Sequence, residues 1–245
     1  MLHAYKEAIK TYIRSLDVIA LFSLVLVIAL ALPLLFPDYF FWTFSGVFLR
    51  ISKLTDIGLG ELLISLLLYG ISLLLFSLAF LLISQVVKEH RSDHIRIEIL
   101  KETIIRQYPE LALFFLTFFM IIFAVAIFGY VGSWPDWLLT LALVGLGYVF
   151  FFVPFAIAID EYTMEEALVQ LWKYKHRLFH YPLLYALTIG ALTILVALVF
   201  LLLTNDLETT RLLSNIVNAL VIVPFGIILG SHFYFDKYTL SIREI

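Results

Sequence analysis

Two pairs of histidines, His90 with His94 and His176 with His180, stand four residues apart. This spacing puts two imidazoles on one helix face, as zinc sites require. Asp93, Asp160 or Glu161 would complete a tetrahedron if the two helices met. The chemistry so defined is that of a metal-dependent enzyme working on lipid headgroups at the cytoplasmic face of a membrane. The competing reading, metal-free amphipathic side chains at an interface, is preferred, because the two pairs do not fall at equivalent positions of the chain's internal repeat. No cofactor is expected. The sequence has no cysteine, which removes disulfides, thiolate metal sites and cysteine nucleophiles. It also lacks HExxH, a P-loop and GxGxxG, the motifs that would point to metalloprotease or nucleotide chemistry.

The remaining polar candidates are neutral and lie inside apolar stretches. Asn215 and Asn218 share one helix face, and Pro154 and Pro224 each remove the helical donor of the carbonyl four residues earlier. Both prolines are expected to kink their spans, and with the two asparagines they form the ligand and hinge candidates. No Asp, Glu, Lys or Arg lies within any of these stretches. Proton-relay transport and buried carboxylate catalysis both need one, since a charge at mid-bilayer costs at least ~2.5–3.5 kcal/mol and is kept for use.

The elements that carry these residues are set by hydropathy. Residues 18–36, 62–87, 111–131, 137–159, 183–203 and 212–235 are free of charge, and each reaches the roughly 20 residues that cross ~30 Å of hydrocarbon. The composition, 63% hydrophobic with mean hydropathy +1.04, is too apolar for a soluble surface. Of the 16 Lys and Arg residues only Arg50, Lys53 and Arg211 fall on one side of the implied topology, so the positive-inside rule places both termini in the cytoplasm of a cell-membrane protein. The first span is expected to be an uncleaved helix despite Ala29-Leu30-Ala31. Few Gln and Asn side chains lean towards a thermophilic source.

Each cytoplasmic segment before an odd-numbered span reads as an amphipathic helix. Tyr5, Ile9, Tyr12 and Leu16 line one face of the first, with Lys6, Lys10 and Arg14 on another, at the lipid phosphates. Ile97, Leu100, Ile104 and Tyr108 line the second. The third opens on a capping box, Thr163 to Glu166. The expected fold is therefore all-α: a single polytopic domain over 1–245 with six transmembrane helices. It is built as three repeats of cytoplasmic amphipathic helix plus transmembrane hairpin, about 1–87, 88–159 and 160–245. Val153-Pro154-Phe155-Ala156-Ile157 echoes Val223-Pro224-Phe225-Gly226-Ile227, and Asp160-Glu161-Tyr162-Thr163 echoes Asp236-Lys237-Tyr238-Thr239. Gly70, Ser77 and Ser84, and the pair Gly226 and Gly230, are read as helix-packing positions. The aromatic-rich segment 39–48 is read as an interfacial belt.

This pattern of a proline-kinked VPF-small-Ile span, then Asp160-Glu161-Tyr162-Thr163 and a capped helix, resembles an uncharacterised prokaryotic family of six-span proteins. Those are related to the membrane domain of glycerophosphodiester phosphodiesterases. The resemblance runs over essentially the whole chain through loose hydrophobic motifs, and it implies a membrane domain without the catalytic one, so no enzymatic residue carries over. The functional expectation is a non-enzymatic, permease-like or membrane-organising component that handles a lipid, a small solute or a partner protein. Its partners are membrane lipids and a second copy or another membrane protein. Nucleic acid is not among them, because basic and acidic residues are interleaved in the cytoplasmic helices.

Overall fold

The computed structural model describes residues 2–32, 40–43, 46–49, 59–90, 97–178 and 180–242. The chain runs through α1 (Leu2–Arg14), α2 (Leu16–Ala31), β1 (Phe40–Thr43), β2 (Gly46–Leu49), α3 (Leu59–His90) and α4 (Ile97–Val131). It continues through α5 (Asp136–Phe150), α6 (Val153–Asp160), α7 (Met164–Leu178), α8 (His180–Thr204), α9 (Leu207–Val217), a π-helical turn (Asn218–Ile222) and α10 (Val223–Ile242). Apart from one short antiparallel hairpin, with Phe40 opposite Leu49 and Thr43 opposite Gly46, the described residues form helices joined by short turns. That hairpin stands in the segment read as an aromatic belt.

Among the described residues five helical segments are long and apolar enough to cross a membrane: Leu63–Glu89, Lys101–Gly129, Asp136–Asp160, His180–Thr204 and Thr209–Asp236. A sixth is reached when α1 and α2 are taken together, although they meet at 88°. Alone, the 16 residues of α2 rise about 24 Å, short of a full crossing. One end of the bundle carries α1 and the last turns of α6 and α10, and is called the terminal end here. The other, the far end, carries the turns at 132–135 and 205–206, which reverse through Ser133 and Asn205 at positive φ.

Two sequence expectations change and a third takes a definite form. The second amphipathic helix is not separate: α4 is one helix of 35 residues with Pro109 inside it, about 52 Å long. The face of α1 that meets the protein is made of small residues, Ala4, Ala8 and Thr11, all buried against α10. Tyr5 and Tyr12 flank it edge-on to Phe233 and Phe225, while Ile9, Ile13 and Leu16 stay exposed. An apolar pattern cannot tell a protein neighbour from hydrocarbon, and the small face escapes a search for large side chains. The two proline sites, expected as kinks, are local departures from regular α-helix within spans that run on through them. In span four α5 ends at Phe150, Phe151 and Phe152 form a turn, and α6 restarts with Pro154 in its first turn, where the missing N–H costs little. In span six the helix is continuous: the π-helical turn ends at Ile222 and passes directly into α10, with Pro224 its second residue.

The core lies where α3, α6 and α10 meet. Phe80 stacks obliquely on Phe155 at 5.0 Å and edge-on to Phe115 at 5.6 Å. Gly226 and Gly230 do pack closely, but against rings rather than a helix backbone. A Cβ on Gly230 would sit 2.2 Å from Phe155 Cζ, and one on Gly226 would sit 2.7 Å from the Tyr185 hydroxyl. On α3, Ser77 and Ser84 are fully buried, whereas Gly70 faces open space.

Candidate functional site

Most of the side-chain polar contacts between helices gather at the terminal end, and Glu161 is their centre. Helix α6 stops there because Glu161 adopts the left-handed conformation, φ 61° and ψ 32°. That conformation usually falls to glycine at a helix C-terminus, since a side chain adds roughly 1–2 kcal/mol of strain. The compensation is visible around it. Lys88 from α3 donates to Oε1 at 2.7 Å, Arg106 from α4 pairs with Oε2, and Gln107 donates to the Glu161 carbonyl at 3.2 Å. Gln85 caps the Ala158 carbonyl one turn earlier at 2.6 Å. Cations and amide donors are what the negative end of a helix favours. Partial burial raises the Glu161 carboxyl, but the hydrogen bond and charge of Lys88, followed by those of Arg106, outweigh it and hold the group below the usual carboxylate range.

Next to this clamp the two acidic motifs make matching contacts. Asp160 accepts from the Tyr234 hydroxyl at 2.6 Å, and Asp236 accepts from the Tyr181 hydroxyl at 3.0 Å. Each aspartate therefore ties its own span to a tyrosine on another. A continuous polar belt results: α3 and α4 to Glu161, Asp160 to α10, and Asp236 to α8. The capping box forms as expected, with Thr163 N–H to Glu166 Oε2 at 2.9 Å and Glu166 N–H to Thr163 Oγ1 at 3.3 Å. Glu110 adds a bond from α4 to the Met164 N–H at 3.0 Å. Helix α1 joins through Tyr5 and Thr188 at 2.7 Å and through Thr11 and His232 at 3.2 Å. The belt's carboxylates are thus engaged in holding helices together.

Away from the belt the structure opens. Every residue of α6 from Val153 to Ile159 is buried, yet α5, the other half of the same span, has no buried residue at all. Helix α8 repeats the contrast, since its buried residues, Tyr181, Pro182 and Ile189, all lie towards the terminal end. Phe151 and Tyr185 join spans four and five at 4.6 Å beside the break. Beyond that contact α5 packs on α4 while α8 packs on α9, so the two spans part towards the far end.

The ligand and hinge candidates lie on two spans: Asn215, Asn218 and Pro224 on span six and Pro154 on span four. Pro154 and Pro224 are both buried, in the first turns of α6 and α10. The two spans meet through Phe155 on Gly230. Asn218 opens the π-helical turn and is buried, and Asn215 is half-buried. The side chains of His90, His94 and His176 lie outside the described residues. His180 is described, with its ring 4.2 Å from that of Tyr181. Among the described residues no three His, Asp or Glu side chains are grouped closely enough to hold a metal. Sequence reasoning named Glu161 only as a possible metal ligand and a motif residue, not as the centre of a clamp, and it missed the clamp roles of Lys88, Arg106, Gln85 and Gln107 and the tyrosine partners of the two aspartates. The repeated Asp-x-Tyr-Thr was the signal available for the aspartates, and nothing local announced the left-handed Glu161. No family model matches the chain, and neither a curated protein nor a solved structure resembles it closely enough to count as a match.

Proposed function

We propose that the protein is a non-enzymatic, permease-like component of a cell membrane that handles lipid, with the polar belt as its fixed end. In this reading both termini are cytoplasmic, the chain derives from three hairpin units, and spans four and five present their far-end halves to the opposite leaflet. The observation that carries it is the unequal burial of the two halves of span four: residues 153–159 of α6 are all buried, whereas the side chains of α5 are half-buried or exposed and none is buried, with Pro154 in the first turn of α6 between the halves. A membrane helix whose task is only to fill space gains dispersion contacts by packing along its whole length. One that leaves its core halfway instead gives acyl chains access to the protein's interior edge. The terminal end, tied by Glu161, Asp160 and Asp236, supplies the rigid base on which such an opening is held. The resemblance to phosphodiesterase membrane domains is compatible with a lipid substrate and adds no catalytic residue.

Reconstitution into liposomes with a fluorescent phospholipid, whose outer-leaflet copies are quenched by dithionite, tests the reading. The expected result is quenching beyond the half seen in protein-free vesicles, and slower exchange in Pro154→Ala, where α5 is drawn back onto the axis of α6. Quenching that stops at the protein-free level with well-inserted protein overturns it.

A further inference from the structure

Span six carries a stripe of buried polar side chains at i, i+4, i+8: Thr210, Ser214 and Asn218, at 7%, 7% and 5% exposure. Thr210 is satisfied, by the Thr204 hydroxyl at 2.8 Å and the Asp206 carbonyl at 2.6 Å. Ser214 Oγ and Asn218 Oδ1 are enclosed and have no hydrogen-bond partner among the described residues. Serines and threonines elsewhere in these spans return to the carbonyl four residues back, as Ser23, Ser77, Thr188 and Ser231 do. Ser65 and Ser84 on α3 are also unpartnered, but no helix defect is found beside them.

At Asn218 there is such a defect. The Val223 N–H is drawn to the Asn218 carbonyl in the π-helical turn, which takes it from Ala219, its regular α-helical acceptor. Pro224 has no N–H to give Leu220. Within one stretch of span six, two side-chain oxygens lack partners and two backbone carbonyls lack their α-helical donors. A buried acceptor without a partner is costly, and more so in hydrocarbon, and π-helical turns concentrate at functional sites.

We infer that this stretch is a binding site for a hydroxyl group, with Asn218 and Ser214 as its side-chain ligands. The chemistry selects the class. Asn218 Oδ1 and the two backbone carbonyls can only accept, so a ligand that satisfies them must donate, while the Ser214 hydroxyl can accept from the same ligand or donate to it. The nearest charge on this helix is Arg211, one turn before Ser214, and its positive sign disfavours a cation. A neutral O–H remains, carried either by a lipid such as a diacylglycerol or by a free polyol. The inference goes beyond lipid handling and does not depend on it, because a site filled by a free polyol would stand even if no lipid were exchanged.

Native mass spectrometry of the purified chain offers three probes: dioleoylglycerol, its 3-O-acetyl ester, which lacks only the hydroxyl, and glycerol. The wild type is expected to retain dioleoylglycerol or glycerol, with the free hydroxyl favoured over the ester by about five-fold, one neutral hydrogen bond's worth. Asn218→Leu and the smaller change Ser214→Ala should each remove that preference. Retention of dioleoylglycerol alone identifies a lipid ligand, and retention of glycerol identifies a free polyol. Equal retention of alcohol and ester with no glycerol adduct overturns the inference. So does a preference that survives in Ser214→Ala and in a folded Asn218→Leu.

Discussion

Replacing Glu161 separates two effects that the wild type combines. The carboxylate receives one hydrogen bond from a half-buried Lys88 and one pairing from a largely exposed Arg106, whose side chains are 36% and 62% accessible against 27% for Glu161. A hydrogen bond to a charged group contributes about 1.5–3 kcal/mol, and an exposed pair about 0.2–1 kcal/mol. Solvent at this surface places the total near the lower end, about 2 kcal/mol. Against it stands roughly 1–2 kcal/mol of left-handed backbone strain, which any side chain bears and glycine does not. Glu161→Ala loses the pairs and keeps the strain, so it should destabilise by about 2 kcal/mol. Glu161→Gly loses the pairs and relieves the strain, leaving a net change within about 1 kcal/mol of the wild type. Equilibrium unfolding in mixed micelles by SDS titration measures both. If alanine and glycine destabilise equally, Glu161 is not in the left-handed conformation, and the account of how α6 ends is wrong.

Other consequences follow from the same contacts. Because Lys88 and Arg106 depress the Glu161 carboxyl, its contribution is complete above the unfolded-state value near 4.5 and is lost as pH falls through the lower folded value. The stability gap between wild type and Glu161→Gln, read by thermal unfolding, should therefore close on acidification and stay constant above neutrality. Gly230→Ala forces the Phe155 ring from its seat and should cost about 1–3 kcal/mol, with Phe155→Leu restoring part of the loss in a double-mutant cycle. Tyr234→Phe leaves Asp160 without its 2.6 Å donor and should destabilise by about 1–2 kcal/mol, more than Tyr162→Phe at the more open surface.

Hydropathy located five of the spans well, because those uncharged stretches had to find helices long enough for a bilayer, while the first is met by α2, which alone is too short. Thr163 and Glu166 disclosed their capping box through spacing alone, and Pro154 and Pro224 marked where two spans depart from regular α-helix. What the residues did not disclose is which apolar surface meets protein. Phe152 and Trp137 are both apolar, yet one is buried in the turn before α6 and the other exposed on α5, and lipid is as good a neighbour for either as another side chain. For the same reason the small face of α1 was overlooked in favour of Ile9 and Leu16. The joining of the second amphipathic helix to span three was hidden by Pro109, which sequence takes as a boundary and α4 simply absorbs. Glu161 lay beyond local reading, since its conformation is imposed by Lys88, Arg106 and Gln107 from helices more than 50 residues away.

The most direct test of the opened far end exploits the absence of cysteine from the sequence. Single spin labels at Val144 on α5 and Ile157 on α6, the first 64% exposed and the second fully buried, can be compared in lipid nanodiscs for collision with oxygen and with a water-soluble relaxant. Lipid handling at a parted pair of spans predicts frequent oxygen collisions at 144, few at 157, and little water at either. A label at 144 as shielded as the one at 157 would show that α5 is covered, by the rest of the chain or by a second copy, and would contradict the account.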